Sequence, residues 1–367
     1  MLLINASNLN VGGGMQVGIS VINELTSDKR PFVAAVSLSV FKQLSEEAKL
    51  NAIIIEKSPS GLLNFDVRKK LDQIVIENNI DKVFTIFGPS YWSPKVSKHM
   101  VGFALPWLIY DTHDIYKTLS VKEKLKKQLL RFLQPYYFKK NADIIVTETE
   151  DVSEKVAKLL NYNSQFVFTV SNTVSDVYGK KELYDQTIIQ RLPLKKLEDI
   201  WLLCISHNYP HKNLECIKAL IKRLPEHYKF ITTVEPSFLD DVPDNLKDRV
   251  VTLGTVSIYQ CPPLYEMSDA LFLPTLLECF SASYAEAMFM EKTILTSDRS
   301  FARTICSEAA YYFDPLNIED MANKILSAFS DDLSRVSKIE TGKQLFNAIP
   351  NARQRAQKYM SILYGNR

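Results

Sequence analysis

Two glutamates, Glu278 and Glu286, stand eight positions apart in the stretch "PTLLECFSASYAEAMFMEKTILTSD", Pro274 to Asp298. An ionised carboxylate offers only acceptor oxygens, so it can take both hydroxyls of a vicinal diol. Acids flanking so apolar a segment therefore suggest a grip on ribose or hexose hydroxyls. Glu286 has a structural alternative, because Ser283-x-x-Glu286 has the spacing of a helix capping box. Glu278 has none: it falls in a loop before the helix, whose start is expected near Ser281 or Ser283.

A second constellation lies in "WLLCISHNYPHKNLECIKAL". A buried strand ends at Ser206, and Asn213 is placed to cap the next helix. Leu214, Ile217, Leu220, Ile221 and Leu224 then form an apolar stripe. Lys212 stands just before that helix, where a flexible ammonium can meet an anion held at free N–H groups. The alternative is a solvated lysine on a polar loop. His207 and His211 bracket the loop with no carboxylate beside them, so metal ligation is not expected there.

The third is "NLNVGGGMQVGISVINEL". Gly12, Gly13 and Gly14 lack a Cβ and let the backbone approach a ligand closely, and the helix that follows opens with a positive dipole end that suits phosphate. The spacing Gly12-x-Gly14-x-x-x-Gly18 also permits a dinucleotide reading, and with it an NAD(P)-dependent oxidoreductase. The acid that reading needs at the end of the second strand is missing, the next one being Glu46.

These turns need elements to position them. Apolar runs such as "MLLINAS", "KVFTIFG", "DIIVTET", "WLLCIS", "ALFLP" and "TILTSD" alternate with helical patterns along the whole chain. Near-continuous Val, Ile, Leu and Phe runs separated by helices predict parallel strands buried on both faces. Two doubly wound α/β domains follow, with ligand loops at the carboxyl ends of their strands. The polar stretch between Asn172 and Asp199 places the boundary, giving domains over 1–173 and 174–349. The helix of 350–367 is expected to pack back on the first. With 367 residues, 46% apolar and 23% charged, the chain has the balance of a globular protein. The net charge of +2 does not suit a general nucleic-acid binder. Five cysteines without a CxxC fit neither a disulfide framework nor a zinc site and suit a reducing cytoplasm. No signal peptide and no membrane span are expected.

One segment stands apart. "KTLSVKEKLKKQLLRFLQPYYFKK", Lys117 to Lys140, has eight basic residues and one acid, Glu123. On a helix, Leu125, Leu129, Phe132, Leu133 and Tyr136 share a face, with Lys124, Lys127 and Arg131 opposite. The apolar stripe is either the buried side of an ordinary domain helix, or part of a surface that meets anionic lipid.

Taken in order, these stretches resemble the retaining glycosyltransferases of family four, which have the GT-B fold, over nearly the whole length. Pro274, Glu278, "CFS" and Glu286 are similar to the family's proline, glutamate, Gly-Phe-Gly-like turn and second glutamate. "EAAYYFDPLNIEDMANKI" resembles its continuation, "SHNYPHKN" its donor-phosphate loop, and "VGGG" its first loop. The resemblance implies two Rossmann-like domains facing a cleft. It also implies transfer of a sugar from a nucleotide diphosphate sugar to a hydroxyl of a glycan or lipid-linked glycan, with retained anomeric configuration. Glu278 would contact the sugar hydroxyls and Glu286 the ribose diol. The backbone of Phe280 and Ser281 would face the diphosphate, with Lys212 as counter-charge and Ser206 and Asn208 in the same loop. Gly13 and Gly14 would close over the donor, and Gly254 and Thr255 would lie near the base. Three departures stand out. His207, Asn208 and Tyr209 occupy the places where the family often has an arginine, and Cys279 and Ser281 replace the turn glycines. Ala104 or Leu105 stands where the family often has a histidine, leaving His113 or Asp111 as candidates for that role. The family setting also implies surface-polysaccharide, lipopolysaccharide or O-antigen synthesis, with no metal and no cofactor. It places the protein in the cytoplasm or at the inner face of the membrane. A non-catalytic nucleotide-sugar or polysaccharide binding protein is the remaining reading.

Overall fold

The computed structural model describes residues 1–61 and 63–365, with the backbone alone at Thr118. The chain divides into two compact units. The first comprises Met1–Asp111, Ser120–Thr173 and Pro350–Arg367, and the second Thr112–Leu119 and Val174–Ile349.

Among the described residues the first unit is built on seven strands: β1 (Leu2–Ala6), β2 (Phe32–Val36), β3 (Ala52–Ile54), β4 (Lys82–Thr85), β5 (Lys98–Gly102), β6 (Ile144–Thr147) and β7 (Val167–Thr169). Their order is β3-β2-β1-β4-β5-β6-β7, and every neighbouring pair is parallel. The second has six: β8 (Ile200–Cys204), β9 (Tyr228–Thr232), β10 (Val250–Thr252), β11 (Ala270–Leu273), β12 (Thr293–Ser297) and β13 (Ala310–Phe313). Their order, β10-β9-β8-β11-β12-β13, is again parallel throughout. Each of these strands coincides with an apolar run of the sequence. Burial on both faces is the reason in the inner strands: β1, β6, β11 and β12 are buried at every position, whereas β3 and β7 at the edges of the first sheet are half-buried throughout.

Both sheets reverse their winding at one place, between β1 and β4 in the first unit and between β8 and β11 in the second. Loops leaving the carboxyl ends of such strand pairs diverge and leave a crevice, which is where doubly wound folds bind ligands. The glycine turn follows β1, the Lys212 loop follows β8, and the Glu278 loop follows β11.

The helix Ala352–Tyr364 packs on the helix Gly12–Ser27 and sends Tyr359, Met360 and Leu363 into the core around Leu2, Ile4 and Phe84. Arg355, fully buried, donates to the Asn172 side chain. Residues 366 and 367 of this stretch lie outside the described residues. The second core gathers Leu202, Ile217, Phe230, Phe272 and Ile325 around its sheet. None of the described helices is long and apolar enough to cross a membrane.

Candidate active site

Residues 205–213 and 274–281 leave adjacent strands, since Ala270 and Leu271 of β11 pair with Leu202 and Leu203 of β8. The two loops are stitched together at one carbonyl. His211 accepts from the Leu276 amide at 2.7 Å and from the Thr275 hydroxyl at 3.1 Å. That link brings Lys212 against Glu278, and the two form an ion pair with side chains only 18% and 13% exposed. The sequence suggested both residues without joining them.

The Lys212 loop is firmly held. The Thr233 hydroxyl accepts from the Ser206 amide at 2.9 Å and donates to the Ser206 carbonyl at 3.2 Å. The Tyr209 ring stacks on His211, with centroids 5.7 Å apart and planes 11° from parallel. Asn213 does not cap a helix as its type suggested. It adopts the left-handed conformation at φ 55°, and its amide donates to the Pro315 carbonyl at 2.7 Å. The following helix starts only at Cys216.

Beyond Glu278 the chain enters the helix Ala282–Phe289 with Ser281 at its N-cap, and no side chain caps the first turn. Its leading N–H groups therefore keep donor capacity for an anion. Ser281 and Cys279 are buried and Phe280 is half-buried. Ser283 lies inside the helix rather than at its cap, so the capping-box reading of Glu286 fails. The Glu286 carboxylate instead accepts from the Tyr265 hydroxyl at 3.1 Å, and it is 9% exposed. The Tyr178 hydroxyl lies beside it without hydrogen-bond geometry. Burial raises the Glu286 pKa to about 7, against the opposing pull of the neighbouring tyrosine hydroxyls. The group is thus poised between charged and neutral near physiological pH.

A separate hollow of about 240 Å³ opens at the ends of β9 and β10, lined in part by Asn208, Thr233, Glu235, Phe238 and Thr255. Gly254 beside it has φ +64°, and a Cβ there would lie 3.3 Å from a Glu235 carboxylate oxygen. Only glycine adopts this backbone without strain. Glu235 was not singled out in the sequence. The one available signal was its place just past the end of a core strand, in "KFITTVEP".

The remaining candidates fall in two groups. Gly13, Gly14 and Asp111 belong to the first unit. There a Cβ on Gly14 would meet the Phe87 ring at 3.2 Å, so the glycine turn after β1 packs on the loop after β4. His113 belongs to the second unit, in the short helix His113–Thr118, which packs against the Pro210–Lys212 turn. None of the five cysteines is in a disulfide and all are buried, and burial pushes the Cys204 thiol up to about 12, away from nucleophilic chemistry. The oxidoreductase reading gains nothing, since β2 runs directly into Ser37, which caps the next helix, with no acid at that strand end.

Residues 244–345 match the family model described as "Glycosyl transferases group 1". This span holds Gly254, Thr255, Glu278 and Glu286. The chain is 25% identical to the O-antigen chain mannosyltransferase RfbU of Salmonella typhimurium, over 69% of this chain and 67% of the relative. Solved structures are alike over the full length. WaaG, a glycosyltransferase involved in lipopolysaccharide biosynthesis, gives a TM-score of 0.73 at 12% identity, covering all of both chains. HepE of Anabaena, solved with UDP and glucose, gives 0.73 at 12% identity over 99% of each chain. A glycosyltransferase from Rickettsia africae gives 0.73 at 17% identity, over 99% of this chain and 97% of that one. These structural likenesses carry the fold, which is that of GT-B glycosyltransferases. The group 1 segment, which holds Glu278 and Glu286, and the mannosyltransferase relative make this chain a glycosyltransferase.

Proposed function

We propose that the protein is a retaining glycosyltransferase. It moves a sugar from a nucleotide diphosphate sugar to a hydroxyl of a glycan or lipid-linked glycan in surface-polysaccharide synthesis of the lipopolysaccharide or O-antigen kind. The reaction is placed on the cytoplasmic side, at the inner face of the membrane. The observation that carries the reading is the Lys212–Glu278 pair at the β8/β11 switch point. A cation suited to a diphosphate and a carboxylate suited to sugar hydroxyls meet beside an uncapped helix start. The names of RfbU and WaaG support the polysaccharide setting, and the HepE complexes support the donor class.

In this reading the donor diphosphate takes Lys212 and the leading amides of the Ala282–Phe289 helix. As the glycosidic bond breaks, the diphosphate gains charge, and these preorganised donors stabilise it. Glu278, released from Lys212, accepts from the sugar hydroxyls, and Glu286 accepts from the ribose diol. The base lies in the hollow beside Gly254 and Thr255. Of the two candidates for the missing family histidine, His113 is favoured over Asp111, because its helix packs on the Lys212 turn. Neither metal nor cofactor enters the scheme, and no side chain serves as a nucleophile. The departing phosphate takes the acceptor proton on the same face, which retains the anomeric configuration.

Thermal shift against UDP, GDP, ADP and their sugars identifies the donor. Transfer to a lipid-linked glycan, with the product anomer read by NMR, then tests the chemistry. No stabilisation by any nucleotide of the panel removes the donor site, and an inverted product removes retention.

A further inference from the structure

The helix Val121–Asn141 is amphipathic in the wrong sense for a domain helix. Its buried residues are Phe138 and Asn141. The inner side is completed by half-buried groups. The Lys127 ammonium lies 3.8 Å from the centroid of the Trp107 ring, and Gln134 donates to the Tyr91 hydroxyl at 3.4 Å. The apolar stripe points the other way: Val121 is 74% exposed, Leu125 63%, Leu129 59%, Phe132 79% and Tyr136 55%. At 100° per residue these five fall within about 80° of arc. A stripe of large side chains left in water has no role in the fold, and such patches mark interaction surfaces.

The charge around the stripe names the partner. The helix carries seven basic residues and a single acid, Glu123. That acid is already used: its carboxylate accepts from the Ser120 amide at 2.9 Å and the Ser120 hydroxyl at 2.6 Å, closing a capping box. Nothing negative is therefore offered along the outer face, where Lys122, Lys126, Lys139 and Lys140 are exposed beside the stripe. Two copies meeting through this face would set like charges against each other. An anionic bilayer satisfies both features, with headgroups for the lysines and acyl chains for the stripe.

We propose that the Val121–Asn141 helix lies in the interface of an anionic membrane, with Val121, Leu125, Leu129, Phe132 and Tyr136 inserted and Lys122, Lys126 and Lys139 on headgroup phosphates. The inference rests on the membrane-side setting proposed above but on none of the transfer chemistry. Lys127 is not a lipid contact, because Trp107 holds it on the inner side.

The test is sedimentation with phosphatidylcholine vesicles, with and without phosphatidylglycerol, at low and high salt. Two variants are compared with wild type: Leu125→Ser/Leu129→Ser/Phe132→Ser and Lys122→Glu/Lys126→Glu/Lys139→Glu. Wild type is expected to bind the anionic vesicles at least tenfold better than neutral ones. The charge variant should lose roughly a hundredfold or more, each basic contact being worth about fivefold. The serine variant should lose the binding that survives high salt. Nucleotide-induced thermal shifts should be unchanged in both variants, so folding and the donor site are controlled separately from the membrane. Equal binding to neutral and anionic vesicles, equal binding by either variant, or a wild-type dimer abolished by the serine changes would overturn the proposal. A protein that binds vesicles but no nucleotide would instead sink the transferase reading and leave this one standing.

Discussion

Lys212 and Glu278, 66 residues apart in the chain, form an ion pair in which each neutralises the other. Each is the group that the other would have to give up for a donor to bind. The pair keeps two sparsely hydrated charges satisfied, and in the proposed donor pose a diphosphate takes the lysine and a sugar the carboxylate.

Glu278→Gln should nearly abolish transfer. From the sequence alone, a loop carboxylate would be replaced at little cost in stability. With its side chain 13% exposed and paired, the change should instead destabilise by about 1–3 kcal/mol. Nucleoside diphosphate affinity should hold or rise, because Lys212 loses its competitor, while the extra affinity contributed by the sugar should vanish. Calorimetry with a nucleoside diphosphate and its sugar separates the two, and normal turnover would remove Glu278 from the site.

Lys212→Ala should weaken nucleoside diphosphates by roughly tenfold to a hundredfold while leaving nucleosides nearly unaffected, since a charge-assisted contact to phosphate is lost. An equal loss for both would place the lysine away from the phosphates.

Glu286 gives a pH dependence with a definite sign. Its pKa is raised from 4.5 to about 7 on folding, so the native state binds a proton that the unfolded chain releases. This contribution to stability is full below about 4.5 and is lost as pH climbs through about 7. Glu286→Gln, which keeps an acceptor for Tyr265, should flatten that fall. A diol held by the carboxylate binds better as pH rises through the same range, and the variant should bind nucleotide weakly at every pH. Parallel melting profiles of wild type and variant from pH 5 to 8 would contradict the raised pKa. An unchanged nucleotide affinity would exclude the diol role.

The sequence displayed the strands because parallel strands buried on both faces are written as unbroken apolar runs. "ALFL" of β11, for instance, has no exposed position to interrupt it. It displayed Glu278 and Lys212 separately, because each follows such a run. It could not display their pairing, which depends on the His211 carbonyl drawing in Thr275 and Leu276 across the sheet. Glu286 was ambiguous for a local reason. A spacing of three fits a capping box only if Ser283 is the cap, and the helix begins before it. The Val121–Asn141 helix shows the same limit, since periodicity reveals a stripe and not which side of it faces the protein. Likewise nothing local marks Thr112–Leu119 as grouping with the second unit.

Transfer should survive excess EDTA. The scheme assigns the diphosphate charge to Lys212 and helix amides, with no bridging cation. A loss of activity restored by magnesium would show that the diphosphate needs a bridging cation.

Glu235 should decide the base. Its carboxylate faces the hollow that the proposed donor pose gives to the base, and Gly254 leaves it room by having no Cβ. A carboxylate can only accept, and its two oxygens match two adjacent N–H donors. Guanine presents such an edge, with its ring N–H next to its exocyclic amino group, whereas uracil offers one donor flanked by acceptors. GDP should therefore raise the melting temperature more than UDP or ADP at equal concentration. Glu235→Gln places a donor against a donor and should cost GDP roughly tenfold or more while changing UDP little, because sites built to read a hydrogen bond discriminate steeply. If UDP leads the ranking, or if the substitution shifts all three nucleotides alike, Glu235 does not read the base edge.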